Sequence, residues 1–462
     1  MNDHIFREYD IRGVAETDLT NERVFGIGWG LAHLLAPAGR APHLVVARDC
    51  RLSGPRLHEW LLRGLVAGGA RVTDIGMGPT PLMYFGVHHL DADGGIMITG
   101  SHNPAQDNGF KIMKGKASFF GQDIQRLQAK VKEAPPAGTE GAGQVEERSL
   151  HEDYLAAVTS RVSIPAERAA ALSVVVDAGN GAAGPLGTQA FARMGLKAVE
   201  LYCDMDGTFP NHHPDPTVPK NLVDLQRAVA EHRAAVGIAW DGDGDRIGVV
   251  DPSGEIIWGD RLLALVARKI LKEHPGATVI GDVKCSQVLF DDVERHGGRP
   301  LMYKTGHSLI KTKMKEEHAL VAGEMSGHFF FADRYFGYDD AIYAALRVIE
   351  ILVEEGKTVS ELLADLPRTE STPELRVDCP DALKFDVVRK VHAALAETSR
   401  GTLSTIDGVR VTYEDGAWGL VRASNTGPVI VLRFEAPSAD RLQEVRSQVE
   451  GLVAKAKGEL GA

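Results

Sequence analysis

The chain has 462 residues, 44% of them hydrophobic and 25% charged, with a formal net charge of −12. That length exceeds one ordinary core and predicts three or four domains, while the acidic balance disfavours non-specific binding to nucleic acid or to an anionic membrane. No apolar run reaches about 18 residues, so no membrane-spanning helix is predicted. Residues 1–13 are polar and charged, without the apolar centre of a secretion signal. Cys50, Cys203, Cys285 and Cys379 lie far apart, which suits a reducing compartment, argues against a zinc site and predicts a cytoplasmic protein. If the ligand were a phosphate ester, an acidic protein would have to concentrate its cations on the functional loops.

In chain order, residues 25–36 carry Gly26, Gly28 and Gly30 among apolar side chains and predict a Gly-rich helix. Three stretches then repeat one pattern: an apolar, β-branched run ending in a polar loop, helical sequence, and a second such run and loop. The first contains Leu44-Val45-Val46-Ala47-Arg48-Asp49 and Gly95-Ile96-Met97-Ile98-Thr99, the latter entering Gly-Ser-His-Asn-Pro. The second contains Ser173-Val174-Val175-Val176-Asp177 and Ala235-Val236-Gly237-Ile238-Ala239, entering Asp-Gly-Asp-Gly-Asp. The third contains Thr278-Val279-Ile280-Gly281-Asp282 and Ala319-Leu320-Val321-Ala322, entering Gly-Glu-Met-Ser-Gly-His. Such runs are typical of strands covered on both faces by helices, here predicted at 56–69 and 260–273. In open α/β sheets ligands bind beyond the carboxyl ends of the strands, where each unusual motif falls. Residues 134–143 and 367–373 read as loops or linkers. Beyond them, 409–413 and 428–434 read as strands flanking an Asp-Gly turn and an irregular loop. An amphipathic helix over 438–457 closes an α+β unit.

Asp241-Gly242-Asp243-Gly244-Asp245-Arg246 carries the most specific chemistry. Carboxylates at alternate positions, spaced by glycine, can fold around one hard cation. An EF-hand does not fit, because its sixth position is Arg246 rather than Gly and its twelfth is Pro252 rather than Glu. In Thr99-Gly100-Ser101-His102-Asn103-Pro104, Ser101 follows a buried strand on a tight loop; the competing reading is a strand-to-helix cap. The hydrolase elbow G-x-S-x-G is absent. Gly323-Glu324-Met325-Ser326-Gly327-His328 offers a carboxylate, a hydroxyl and an imidazole suited to sugar hydroxyls. Arg422-Ala423-Ser424-Asn425-Thr426-Gly427 resembles a phosphate cradle. Arg12, Lys111, Lys284 and His307, each an ordinary surface charge when taken singly, fall on or beside these loops.

With those four motifs in this order, the sequence resembles the α-D-phosphohexomutase family across essentially its whole length. The resemblance implies three similar α/β domains with mixed sheets plus a C-terminal α+β domain like the TATA-binding-protein fold, around a central cleft. The corresponding boundaries are 1–149, 150–252, 253–367 and 368–462. It implies that Ser101 is a phosphoserine and that Asp241, Asp243 and Asp245 hold Mg²⁺ together with an oxygen of that residue. Glu324 and Ser326 would read sugar hydroxyls, and Arg422, Ser424, Asn425 and Thr426 would hold the non-reacting phosphate. Tyr9, Arg12, Lys111, Arg246, Lys284, His307 and His328 match further cleft positions. Met325 and the segment Arg7-Glu8-Tyr9-Asp10-Ile11-Arg12-Gly13 are similar to the phosphomannomutase/phosphoglucomutase branch.

The implied activity is reversible conversion of hexose 1- and 6-phosphates through a hexose 1,6-bisphosphate, with glucose 1,6-bisphosphate or a similar bisphosphate as activator. Lys111 would offset charge during transfer, and His307 or His328 would accept a proton. The partners implied are small sugar phosphates, in a chain compatible with a monomer. Competing readings are a phosphoglucosamine mutase, a metal-dependent sugar phosphatase using Ser101, and a non-catalytic sugar-phosphate sensor.

Overall fold

The computed structural model describes residues 3–425 and 427–462. Its first three sheets share one wiring. In the first, strands His43–Arg48 and Arg71–Met77 run parallel, Gly94–Ile98 lies on the other side of His43–Arg48, and Asp107–Lys114 pairs with it antiparallel. The second repeats this with Ser173–Asp177, Lys197–Leu201, Val236–Trp240 and Ile247–Val250. The third does so with Thr278–Asp282, Arg299–Tyr303, Val321–Gly323 and Phe329–Phe331. The first sheet gains edge strands Ile11–Val14 and Gln144–Glu147, and the second gains Ile256–Ile257.

This wiring makes the three motif loops equivalent. Each is the hairpin connection from the third strand to the antiparallel fourth. No helix follows Ser101, so the strand-to-helix cap reading does not hold: the chain enters Asp107–Lys114 instead. The predicted helices form as Gly54–Ala67 and Gly259–Glu273, and the Gly-rich one as Asn21–Leu34. Gly28 and Gly64 let two of these helices touch, since a Cβ at Gly64 would lie 2.0 Å from Phe25 O.

Side-chain alternation assigns each sheet two faces. Val45, Ala47, Val174, Val176, Ile238, Val279 and Val321 all enter one continuous core shared by the first three units. Their neighbours Leu44 and Val46, Val175 and Ala239, and Ile280 and Ala322 pack in three separate layers on the opposite faces. The C-terminal unit is a six-stranded antiparallel sheet carrying helices Lys384–Thr398 and Ala439–Leu460 on its own core. Its strand Trp418–Ala423 occupies most of what the sequence suggested was an irregular loop, and pairs on both edges. Among the described residues, no helix is long and apolar enough to cross a membrane.

Candidate active site

The carboxylates of Asp241, Asp243 and Asp245 are completely buried where the first and second units meet. Gly244, at φ +73°, turns the loop, and the backbone N–H groups of Asp245 and Arg246 donate to Asp241 Oδ1 at 3.0 and 3.1 Å. The first unit closes over this loop. Ser101 Oγ donates to Asp241 Oδ2 at 3.0 Å, and Thr80 Oγ1 donates to Asp243 Oδ2 at 2.5 Å. Lys111 Nζ donates to Asp243 Oδ2 at 2.6 Å and also to Asp245. Burial, reinforced by Asp243 and Asp245, pushes the Asp241 carboxyl well up. Burial pushes Asp243 the same way, but the Lys111 ammonium outweighs it and holds that carboxyl down. For Lys111, burial disfavours the charge and the three aspartates reverse the shift to a net rise.

The donor set fits a hard divalent cation. The three carboxylates place oxygens within 4.8 Å of one another, and Asp243 Oδ1 and Asp245 Oδ1 are buried without a hydrogen-bond partner. Unsatisfied buried carboxylate oxygens are costly, and oxygen-only coordination is what Mg²⁺ takes.

The sugar-motif loop packs on the other side of the metal loop. Gly327, at φ +93°, brings its carbonyl to Ile247 N at 3.0 Å, and Arg246 Nε donates to His328 Nε2 at 2.9 Å. Because an arginine Nε–H only donates, His328 Nε2 is the acceptor and Nδ1 faces Asp339 Oδ2, 3.0 Å away. The His307 ring stacks 5.6 Å from that of His328, with its Nδ1 3.7 Å from the same carboxylate. Burial, with Lys311 adding to it, depresses His307 well below the usual imidazole range. Neither nitrogen of His307 holds a hydrogen bond. Burial, with Arg246 and Arg12 next, does the same to His102. Glu324 Oε1 accepts from Gly306 N at 2.7 Å, and burial raises this carboxyl.

The remaining predicted residues complete a ring. Tyr9 OH donates to Thr305 O at 3.1 Å and accepts from Asn425 Nδ2 at 2.5 Å, joining the first, third and fourth units. Arg12 bonds Asp10 at 2.7 Å and Asn103 at 3.0 Å, beside Ser101. Lys284 is buried 3.2 Å from Glu374, and Arg422 Nε donates to Asp407 Oδ2 at 2.9 Å. Ser326 follows Met325 on the loop above Asp282, and Ser424 heads the fourth loop. Thr426 lies outside the described residues. The surface-charge reading of Lys111 and Lys284 is overturned: each is 4% exposed. Sequence reading missed Thr80, Asp339 and Asp407. Asp339-Asp340 opening an apolar helix was a usable signal; the other two carried none.

Family models match the chain in order. Phosphoglucomutase/phosphomannomutase alpha/beta/alpha domain I covers 3–136, domain II 152–254, domain III 258–369, and the C-terminal domain 374–452. The chain is 46% identical to a phosphomannomutase/phosphoglucomutase of Pseudomonas putida, over 96% of this chain and 94% of that protein. It is 43% identical to a phosphoglucomutase of Neisseria meningitidis, over 97% and 96%. A crystal structure of a phosphoglucomutase/phosphomannomutase family protein from Burkholderia thailandensis superposes with a TM-score of 0.88 at 42% identity, covering 99% of this chain and 98% of that one. With every domain model matched and identity sustained over the whole length, the chain belongs to the phosphoglucomutase/phosphomannomutase family.

Proposed function

We propose that this protein interconverts the 1- and 6-phosphates of glucose and mannose through a phosphorylated Ser101 and a hexose 1,6-bisphosphate. The observation that carries the reading is the buried contact between Ser101 Oγ and Asp241, reaching from one unit to the next beside the carboxylate oxygens Asp243 Oδ1 and Asp245 Oδ1, which hold no hydrogen bond. Asp241, Asp243 and Asp245, with a phosphoserine oxygen, are the residues to hold Mg²⁺. That ion, when bound, supplies positive charge beside the transferring phosphoryl group, the main electrostatic need of the reaction.

The chain's own groups do the rest. The free hydroxyl of a bound hexose monophosphate attacks phosphorus; the bond to Ser101 Oγ breaks as the bond to the sugar oxygen forms. The hydroxyl proton passes to His307, which burial and Lys311 depress well below the usual imidazole range and neither of whose nitrogens holds a hydrogen bond. That ring is stacked on His328, with the Asp339 carboxylate 3.7 Å away to stabilise the resulting cation. Lys111 and Arg246 offset charge on the leaving serine oxygen. Glu324 and Ser326 bind sugar hydroxyls, while Tyr9, Arg12 and Lys284 border the cleft. Arg422, Ser424, Asn425 and Thr426 hold the distal phosphate. The bisphosphate turns end for end, and its other phosphate returns to Ser101. A free hexose 1,6-bisphosphate such as glucose 1,6-bisphosphate acts as activator by charging unphosphorylated Ser101.

The four units, taken as 1–149, 150–252, 253–367 and 368–462, each bring one loop to this cleft. The free thiols of all four cysteines support a cytoplasmic setting.

The test compares Ser101→Ala with the unaltered protein. Intact mass should show one phosphate on the unaltered chain and none on the variant, whose turnover of glucose 1-phosphate and mannose 1-phosphate should vanish while its circular dichroism is unchanged. Near-normal turnover by the variant would end this reading. Stoichiometric phosphate release would reassign the protein as a phosphatase, and preferential turnover of glucosamine 6-phosphate would move it to the glucosamine branch.

A further inference from the structure

We propose that Arg51 is a positioning residue for the Ser101 loop, holding the serine in its reactive orientation from behind. Residues 100–106 form neither helix nor strand, and Ser101 itself sits in the left-handed region at φ +48°. A non-glycine residue keeps that conformation only where its surroundings impose it. Thr99 Oγ1 accepts from Ser101 N at 2.8 Å, and the group that gathers the loop's carbonyls is one guanidinium, that of Arg51, on a side chain with no solvent exposure.

Its NH1 donates to Pro104 O at 2.5 Å and Asp107 O at 2.9 Å, and its NH2 donates to Ser101 O at 2.8 Å and Asn103 O at 2.6 Å. Three carbonyls of the loop and that of Asp107, where the next strand opens, thus converge on a single planar cation. Asp49 orients that cation: its carboxylate lies 3.3 Å from Arg51 Nε, and it also accepts from Arg51 N and Gly100 N at 3.0 and 3.3 Å. Gly100 lets the guanidinium lie flat against the loop, since a Cβ there would meet Arg51 Cζ at 2.5 Å. The second unit finishes the enclosure: Phe209 stands 5.2 Å from Arg51 Cζ, and His213 Nε2 lies 2.5 Å from His102 O. Gly242 backs directly onto the Ser101 carbonyl, where a Cβ would sit at 2.4 Å.

No ammonium can reproduce this arrangement, because a rigid fork of five donors is replaced by three donors on one atom. The inference rests on the reading of Ser101 as phosphate carrier, and the experiment separates the two. In the full-length protein, Arg51→Lys keeps the charge and Arg51→Ala leaves a guanidinium-shaped space. Both are assayed for phosphate on Ser101 by intact mass, for kcat and KM with glucose 1-phosphate, and for melting temperature. Misplacing a reacting group by about 1 Å costs about 10²-fold, so kcat of Arg51→Lys should fall by that order. KM should move by less than about threefold, because the sugar and distal phosphate loops are untouched. Guanidinium at millimolar concentration should raise kcat of Arg51→Ala where sodium chloride does not. A kcat for Arg51→Lys within about twofold of the unaltered protein would overturn the proposal. So would a loss that tracks melting temperature and is restored by a stabilising osmolyte. An unaltered protein that never carries phosphate on Ser101 would overturn the carrier reading itself, and this inference with it.

Discussion

At the scale of single residues, the floor of the cleft is a charge problem. Three buried carboxylates face one buried ammonium, Lys111, which bonds two of them. Removing one partner of a buried ion pair costs about 3–5 kcal/mol, because the remaining charge is left uncompensated. A chelator removes the metal but not Lys111, whose ammonium bonds two of the three carboxylates. Exhaustive chelation should therefore abolish turnover, restorable by Mg²⁺, while lowering the melting temperature only slightly. Lys111→Met should be destabilised by about 3 kcal/mol in chelator and should regain far more stability from Mg²⁺ than the parent does, since ligand binding to the folded state adds stability by mass action. Thermal melts with and without chelator measure both. A Lys111→Met protein as stable as the parent in chelator, or full turnover after chelation, would contradict the account. The aspartates were legible in the sequence because glycine spacing concentrates three ligands in one loop. Lys111 looked like a surface charge because its partners lie 132 and 134 residues away, and Thr80 was invisible for the same reason, 163 residues from Asp243.

At the scale of elements, three functional loops are one element used three times, a hairpin from the third strand to the fourth, and the strands on either side of the fourth motif, Trp418–Ala423 and Val429–Ala436, likewise pair antiparallel. The strands leading into the loops were readable from their β-branched runs. Of the strands leading out, the apolar flank of the Asp loop reads as a strand and forms Ile247–Val250, whereas Phe329–Phe331 spans only three residues, too short for periodicity to register, and Asp107–Lys114 opens on polar Asp-Asn-Gly. Hairpins project their tips, and two of these tips dock on each other at Gly327. A side chain there would be strained at φ +93° and would place its Cβ 2.4 Å from Ile247 O. Gly327→Ala should destabilise the protein by about 1–3 kcal/mol and, by pushing Glu324 and His328 off the metal loop, raise KM for hexose phosphates. Denaturant unfolding and steady-state kinetics read the two effects; parental values for both would show that the tips need not touch.

At the scale of the whole molecule, the repeated fold hides an asymmetry. The first three sheets each turn one face into a single shared core and keep a separate apolar layer only on the other face, so none can open without breaking packing it shares with the other two. The fourth unit has a separate core and meets the rest across a small apolar contact, Val283 with Trp418 and Leu420, surrounded by charge. Arg410 NH1 donates to Val283 O and Cys285 O, both at 2.8 Å, and its guanidinium lies 3.8 Å from the Trp418 ring centroid. Arg433 bonds Lys284 O and Asp260, and Ser286 bonds Glu435 at 2.7 Å. Among the described residues, its links toward the first unit include the exposed pair Arg7 to Asp381 at 3.3 Å and the polar bond between Tyr9 and Asn425. Cooperativity follows shared apolar burial, so the first three units should open together and the fourth at lower free energy. Hydrogen exchange followed by mass spectrometry should show faster exchange in strands Val409–Thr412 and Val429–Ala436 than in Val236–Trp240 and Thr278–Asp282. Trp418→Ala should widen that gap, accelerating the fourth unit and leaving the other three unchanged. Equal protection across all four sheets would mean that the charged seam couples the fourth unit as tightly as the shared core couples the rest.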